Sequence, residues 1–323
     1  ANTLFHEADD ALLNYLNDDG QYIEPEYFVP TLPLVLINGT EGIGTGYSSY
    51  VPSYNPEDIK YNIKACIEKK TMKTMIPFYP HFQGTIESNN ASNTQFIIKG
   101  VYTLIKQNVY RITELPIGMW TQTYKEFLED NLDKIVDSYE NFSTEKEVNF
   151  LVKVIPGKVK DVIKDLRLSK SIRTTNMHLF DENGNMKKYT SPEEIIYDFV
   201  KIKYTFYEKR KNELLKTQKR DMKVLENKIR FINEVTNDDI SIFKKKRSEI
   251  GEILKSNNYN TVDKSFNYLL DLKMYCLTEE QIEKFNKEFE IIKKEYSDLE
   301  STSEKDLWMK DLECSTFCQS KLN

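Results

Sequence analysis

The sequence is poor in the residues that carry most catalytic and metal chemistry. Its three histidines, His6, His81 and His178, lie far apart, with no helical or hairpin spacing that assembles a triad or a metal site. Of its four cysteines, Cys66, Cys276, Cys314 and Cys318, only the last two are close, and no histidine or carboxylate stands beside them at zinc-ligand spacing. They read as reduced thiols. Glycine and proline are scarce as well, 11 and 10 among 323 residues, while charged residues make up 30 %. That balance favours long solvated helices over a compact globule. No apolar run approaches the roughly 18 residues of a membrane span, and no signal peptide is visible. A soluble intracellular protein without a membrane partner is the expectation. There is no basic excess either: the formal net charge is −6, whereas duplex-binding domains usually carry a positive surplus. Net charge is an average, and a basic face on an acidic molecule keeps DNA open.

What is present changes character near residue 190. Before it, turn residues and short β-like runs dominate; after it come Lys and Glu with almost no Gly or Pro. Residues 9–16 look helical. Pro30 and Pro33 keep the apolar stretch 27–37 from being a regular helix. A helix is predicted from Asn55, with Pro56 in its first turn and Ile59, Ile63, Cys66 and Ile67 on one face. Residues 84–88, 94–105 and 108–115 read as a strand and a hairpin in one antiparallel sheet, and 148–155 as a further strand. Ser191-Pro192-Glu193-Glu194 is a strong helix start, a serine cap with proline in the first turn and a glutamate able to reach back to the cap. No Gly or Pro follows from 193 to 250, so one helix of about forty residues is predicted there. Thr278-Glu279-Glu280-Gln281 opens another. Its Ile282, Phe285, Phe289, Ile292, Tyr296 and Leu299 recur at heptad spacing. Between the two lies a less charged segment with Phe266, Tyr268, Leu269, Leu270, Met274 and Tyr275. Two long helices running out and back with an apolar knob at the far end is the inference. Such a knob would have nothing in its own chain to bury against and should find a partner.

The run Gly42-Ile43-Gly44-Thr45-Gly46 admits three readings. A P-loop would need a Gly-Lys-Ser/Thr ending, and a dinucleotide fingerprint would need Gly-x-Gly-x-x-Gly; neither is present. The third is a tight loop that lets the backbone approach a partner while Ile43 projects, as apolar wedges do beside kinked DNA. On composition alone, a glycine turn with Ile43 in the core is the plainer choice.

Ile23-Glu24-Pro25-Glu26-Tyr27, followed by the segment from Pro33-Leu34-Val35-Leu36-Ile37-Asn38-Gly39 to Gly46-Tyr47-Ser48, resembles the hallmark of eukaryote-type type IIA DNA topoisomerases. Further blocks follow in that family's order: Pro77-Phe78-Tyr79, Gly84-Thr85-Ile86, Ile112-Thr113-Glu114-Leu115-Pro116, Trp120-Thr121-Gln122, Thr175-Asn176-Met177-His178-Leu179-Phe180-Asp181, and Asp306-Leu307-Trp308. The resemblance spans nearly the whole chain. It implies an α+β fold: a mixed antiparallel-sheet shoulder or tower domain at 24–190, then an antiparallel coiled coil with a dimerisation knob, the exit gate, at 191–313. Residues 1–23 would finish a winged-helix domain and 314–323 would be a tail. It implies a homodimer that bends one duplex, cuts both strands through paired tyrosines and magnesium, and passes a second duplex using ATP. Ile43 inherits the role of the intercalating residue, with Gly42, Gly44 and Thr45 beside it. Lys170, Arg173, Lys187 and Lys188 become candidates for phosphate contacts, and Phe266, Tyr268, Leu269, Leu270, Met274 and Tyr275 for the dimer interface.

The departures count as well. The cutting tyrosine is expected upstream of Ala1, and the metal-binding and ATPase domains outside the chain, so no catalytic residue, metal or cofactor is expected within it. Mg2+ and ATP belong to the parent enzyme. Pro80-His81-Phe82-Gln83 stands where family members often carry Lys or Arg. The short end after Leu312 resembles the enzymes of large DNA viruses, which places the parent in the nucleus or, if viral, in the host cytoplasm. The rival reading is a structural coiled-coil protein of the cohesin or condensin type, which leaves the glycine run unexplained.

Overall fold

The computed structural model describes residues 4–89, 93–242, 245–262, 264–273 and 278–314. It divides into two compact units, one of residues 30–202 and one of residues up to 29 together with 203–314.

Residues 9–16 do not form the expected helix. A 3-10 turn, Glu7–Leu12, leads into a hairpin of β1 (Tyr15–Asp18) and β2 (Gln21–Pro25). Asp19-Gly20 is the reason: both residues take positive φ, 47° and 86°, as a two-residue hairpin turn requires and Asp-Gly supplies most easily.

The 30–202 unit begins with a short helix, α1 (Leu34–Asn38), and a glycine hairpin of β3 (Thr40–Gly44) and β4 (Tyr47–Val51). Helix α2 (Pro56–Ile67) starts as predicted: the Asn55 side chain accepts the Glu57 N–H, and Ile59, Ile63 and Ile67 are buried. The predicted single sheet is in fact two. β5 (Thr85–Ser88), β6 (Gln95–Lys99) and β11 (Ser169–Arg173) form one, in the order β11-β6-β5. The other is β7-β8-β10-β9, made of β7 (Val101–Lys106), β8 (Val109–Glu114), β9 (Val136–Asn141) and β10 (Phe150–Val154). The run 94–105 crosses from one sheet to the other at Gly100. A Cβ there would sit 2.3 Å from the Glu114 carbonyl oxygen, so only glycine allows the corner.

The four-stranded sheet packs on α3 (Thr121–Asp130): Tyr124 and Leu128 meet Phe150, Val152 and Leu166, and the Tyr124 hydroxyl donates to the Leu166 carbonyl at 3.0 Å. The short α4 (Val162–Asp165) lies between β10 and β11, and a last hairpin pairs β12 (Met177–Phe180) with β13 (Met186–Tyr189).

α5 (Pro192–Thr236) is the predicted long helix, 45 residues. Ser191 caps it as predicted, and only the return bond is shifted by one residue. Ser191 Oγ accepts the Glu194 N–H at 3.3 Å, but the Glu194 carboxylate reaches Thr190, taking its N–H at 2.8 Å. In the other unit the chain continues through α6 (Arg247–Ser256), α7 (Asn267–Leu270), α8 (Glu279–Ser301) and α9 (Glu304–Cys314). The heptad residues of α8, Ile282 through Leu299, are its half-buried stripe. α5 and the α8–α9 pair run antiparallel. Lys228 lies 5.7 Å over the Phe285 ring, Lys211 pairs with Glu304 at 3.3 Å, and Tyr207 stacks on Trp308 at 5.3 Å.

The segment after α6 has a core of its own, contrary to expectation. Leu269, 1 % exposed, is buried with Phe231, Val235, Ile240, Leu254 and Tyr259, and Phe266, Tyr268 and Leu270 pack against that cluster half-buried. Met274 and Tyr275 lie outside the described residues.

One feature of this unit no sequence motif announced. Asp9, Lys203 and Arg210 are all nearly inaccessible. Arg210 donates from Nε and Nη2 to the two Asp9 oxygens, both at 2.6 Å, and from Nη1 to Asp311 at 2.7 Å. Lys203 Nζ donates to Asp9 at 3.0 Å and to the Val29 carbonyl at 2.8 Å, and the Tyr207 hydroxyl donates to Asp311 at 2.7 Å. Two cations thus face two carboxylates. Burial alone would raise the Asp9 carboxyl, but Arg210 and Lys203 more than offset it and hold it below the ordinary carboxylate value.

Candidate functional site

The glycine run is a β-hairpin, not a strand-to-helix loop, which disposes of both nucleotide-cradle readings. Gly42 pairs with Ser49, Ile43 with Ser48 and Gly44 with Tyr47, so Thr45-Gly46 form the turn. Gly46 has φ 92°, a conformation that favours glycine. Every residue of β3 is exposed, and Ile43 is 92 % exposed. The plainer reading of Ile43 as a core residue is therefore wrong. A Cβ on Gly42 would meet nothing within 4 Å, so nothing in the chain itself requires glycine there. Ile43 thus stands in solvent beside a glycine with open space around it.

β4 is braced by the strand after Thr175. The Tyr50 N–H donates to the Asn176 carbonyl at 2.8 Å, and Asn176 Nδ2 donates to Ser48 Oγ at 2.8 Å. Ser49 Oγ donates to the His178 carbonyl at 2.6 Å and accepts the His178 N–H at 3.1 Å. The His178 ring faces Tyr47 with centroids 6.5 Å apart. Two distant motifs, 42–48 and 175–181, are thus one structure. Sequence reasoning gave His178 no part in a site and missed Ser48, Ser49 and Asn176, although Ser48 and Asn176 stand inside the quoted motifs and Ser49 directly after one.

The base of the hairpin opens on a groove of ≈ 520 Å³, lined by Thr40, Glu41, Tyr50, Tyr79, Lys170 and Arg173 among others. Lys170 and Arg173, both exposed on β11, are brought to the same groove as the hairpin base. Lys170 Nζ lies 3.4 Å from the Gly118 carbonyl. Arg173 and Lys188 are exposed and form no ion pair with a described residue. Lys187 differs: its ammonium donates to Asp198 at 2.6 Å and lies 3.7 Å from Glu194. The Asp198 hydrogen bond raises its pKa, so the charge is firmly held and already partnered. Glu41 is the one acid in the groove lining among the described residues, and it tempers the local field. Among the described residues no group of three His, Cys, Asp or Glu side chains could hold a metal ion, and no helix is long and apolar enough to cross a membrane.

Comparison with known proteins shows the family. The family profile for the A subunit of DNA gyrase/topoisomerase IV matches residues 1–313. The chain belongs to that family. The DNA topoisomerase 2 of Pisum sativum is 35 % identical over 362 residues, covering 96 % of this chain and 25 % of the relative. That of Acanthamoeba polyphaga mimivirus is 31 % identical, covering 97 % of this chain and 31 % of its own length. Among solved structures, the topoisomerase II DNA-binding, cleavage and re-ligation domain of Plasmodium falciparum matches at 33 % identity with TM-score 0.86, over 97 % of this chain and 47 % of that one. The chain thus spans about a quarter to a third of the length of these curated relatives. It is a homologue of the type II topoisomerase DNA-binding and cleavage domain, with mixed α/β structure and antiparallel sheets. The cohesin or condensin reading is not favoured, because the likeness covers sheets and helices alike.

Proposed function

We propose that this chain supplies the DNA-bending shoulder and the exit gate of an ATP-dependent type II topoisomerase that passes one duplex through a transient double-strand break. The observation that carries the reading is Ile43, 92 % exposed on a glycine hairpin whose base shares a groove with Lys170 and Arg173. In this role Ile43 enters a base step, Gly42, Gly44 and Thr45 let the backbone come close, and Lys170, Arg173 and Lys188 neutralise phosphates. Magnitudes decide how the work is divided. Bending a site by 40–90° costs on the order of 1–6 kcal/mol, and unstacking a step adds a few kcal/mol. Burying one isoleucine returns about 1.5–3 kcal/mol. The wedge alone cannot meet that cost, so the cations must. Ile43→Ala in this chain should lower the end-to-end energy transfer of a short doubly labelled duplex at saturating protein. An unchanged bend would sink the wedge assignment.

The antiparallel α5 and α8–α9 helices support the second half of the reading, a coiled coil carrying a homodimeric exit gate at the segment around Phe266, Tyr268 and Leu270. Leu269 serves that segment from inside its own core. Mg2+, ATP and the cutting tyrosine belong in this reading to the winged-helix, metal-binding and ATPase domains of the parent enzyme, working in the nucleus or, for a viral parent, in the host cytoplasm. The isolated chain should leave supercoiled plasmid unchanged in magnesium and ATP; relaxation by a nuclease-free preparation would overturn that division of labour.

A further inference from the structure

The exposure of Ile43 needs its own physical cause. A two-stranded ribbon is marginal in water by itself, and a free isoleucine on it gains by lying down on nearby apolar surface. Something must hold the hairpin in place. Its β3 side is solvent-exposed along its whole length, so the restraint has to come through β4. The bonds there are unusual, because three of the four that join β4 to residues 176–178 run through side chains and only the Tyr50 N–H to Asn176 main-chain carbonyl bond joins backbone to backbone. One serine hydroxyl, that of Ser49, takes both the N–H and the C=O of His178, at 3.1 and 2.6 Å. Asn176 grips from both ends: its main-chain carbonyl accepts the Tyr50 N–H and its side-chain Nδ2 donates to Ser48 Oγ, each at 2.8 Å. Ser48 is the residue paired directly with Ile43.

We propose that Ser49 and Asn176 are positioning residues for Ile43, a clamp that keeps the wedge hairpin presented to the duplex. The inference rests on the reading of Ile43 as a wedge. The clamp is itself anchored. β12 pairs with β13, where the Lys187 ammonium and the Tyr189 hydroxyl both donate to Asp198 in the first turns of α5, at 2.6 and 3.1 Å. A continuous path of bonds therefore runs from Ile43 through Ser48 and Ser49, Asn176 and His178, and β13 to Asp198. Lys187 acts in it as a strut, a different task from the phosphate contact its sequence position led us to expect.

The test uses the full 323-residue chain as wild type, Ser49→Ala, Asn176→Ala, Ser49→Thr, Ile43→Ala and Ile43→Ala/Asn176→Ala. Two quantities are read: amide hydrogen exchange of peptides covering 40–51, and bending of a doubly labelled duplex. Loss of the clamp bonds should speed exchange in 40–51 by about tenfold, the size expected for one or two hydrogen bonds, while peptides of β6 and β10 keep wild-type protection. Bending should fall in Ser49→Ala and Asn176→Ala and return in Ser49→Thr, which keeps the hydroxyl. The double variant should bend no less than Ile43→Ala alone, because both changes act through one side chain. Exchange within about twofold of wild type in both alanine variants overturns the clamp. So does normal bending by them when Ile43→Ala bends poorly. If Ile43→Ala itself bends normally, the wedge reading fails and takes the positioning role with it.

Discussion

Consider replacing Asp9 by asparagine. Asp9 is 5 % exposed, and its carboxylate accepts two 2.6 Å bonds from Arg210 and one of 3.0 Å from Lys203. Asparagine keeps the size and one acceptor oxygen but removes the charge, leaving two buried cations against Asp311 alone. Breaking a buried pair in this way costs about 3–5 kcal/mol, because the remaining charge is stranded out of water. That is a large share of the roughly 5–15 kcal/mol that holds a domain together. Tryptophan fluorescence during urea unfolding isolates the effect. Of the two tryptophans, Trp308 is fully buried in this unit and Trp120 is 76 % exposed at the start, so the emission change reports mainly Trp308. The midpoint should fall by the equivalent of about 3 kcal/mol or more. Arg210→Met added to Asp9→Asn should cost less than the sum of the two single changes. The pH dependence has a definite sign. Since the folded carboxyl is held below its ordinary value, its contribution is complete above about pH 4 and fades as pH falls through the lower folded value. Asp9→Asn should flatten that acid limb. A loss under about 1 kcal/mol, the level of a solvated surface pair, would show that water reaches the cluster and that the buried-network reasoning is wrong.

Other outcomes follow from the same geometry. Gly100→Ala should destabilise its unit strongly, because the new methyl would meet the Glu114 carbonyl at 2.3 Å, whereas Gly42→Ala meets nothing and should leave urea stability unchanged or slightly higher while weakening duplex bending. Equal stability losses in the two variants would contradict the close-approach reading. Lys170→Ala and Arg173→Ala should each lower the slope of log binding constant against log salt by about one; salt titrations on a duplex check this, and an unchanged slope removes the residue from the interface. In light scattering at micromolar concentration the chain should be a dimer that Leu270→Asp splits without altering Trp308 emission. A wild-type monomer would leave the apolar segment as a tip that packs only on itself.

What the sequence made legible is what local chemistry determines. α2 and α5 begin where Asn55 and Ser191 cap them, because a cap and its bonds lie within four residues. The Asp19-Gly20 turn is legible in the same way, although residues 9–16 before it read as helix. Gly100 is a harder case: a glycine inside a strand pattern signals a corner or close approach, but nothing local says which. The brace behind Ile43 joins residues 128 and 129 apart, and no local pattern specifies that Ser49 rather than a backbone strand will satisfy His178. Exposure of Ile43 is a fact about neighbours it does not have, and so belongs to the tertiary level alone. The ion cluster lies between these extremes. Asp9 and Arg210 are 201 residues apart, which hides the pairing. Yet Lys203, Phe206, Tyr207 and Arg210 recur at helical spacing on one face of α5, and all four are buried. Two cations in a buried stripe cannot be left unpaired at an acceptable energy. Their presence there demands carboxylates from elsewhere in the chain, and Asp9 and Asp311 meet that demand.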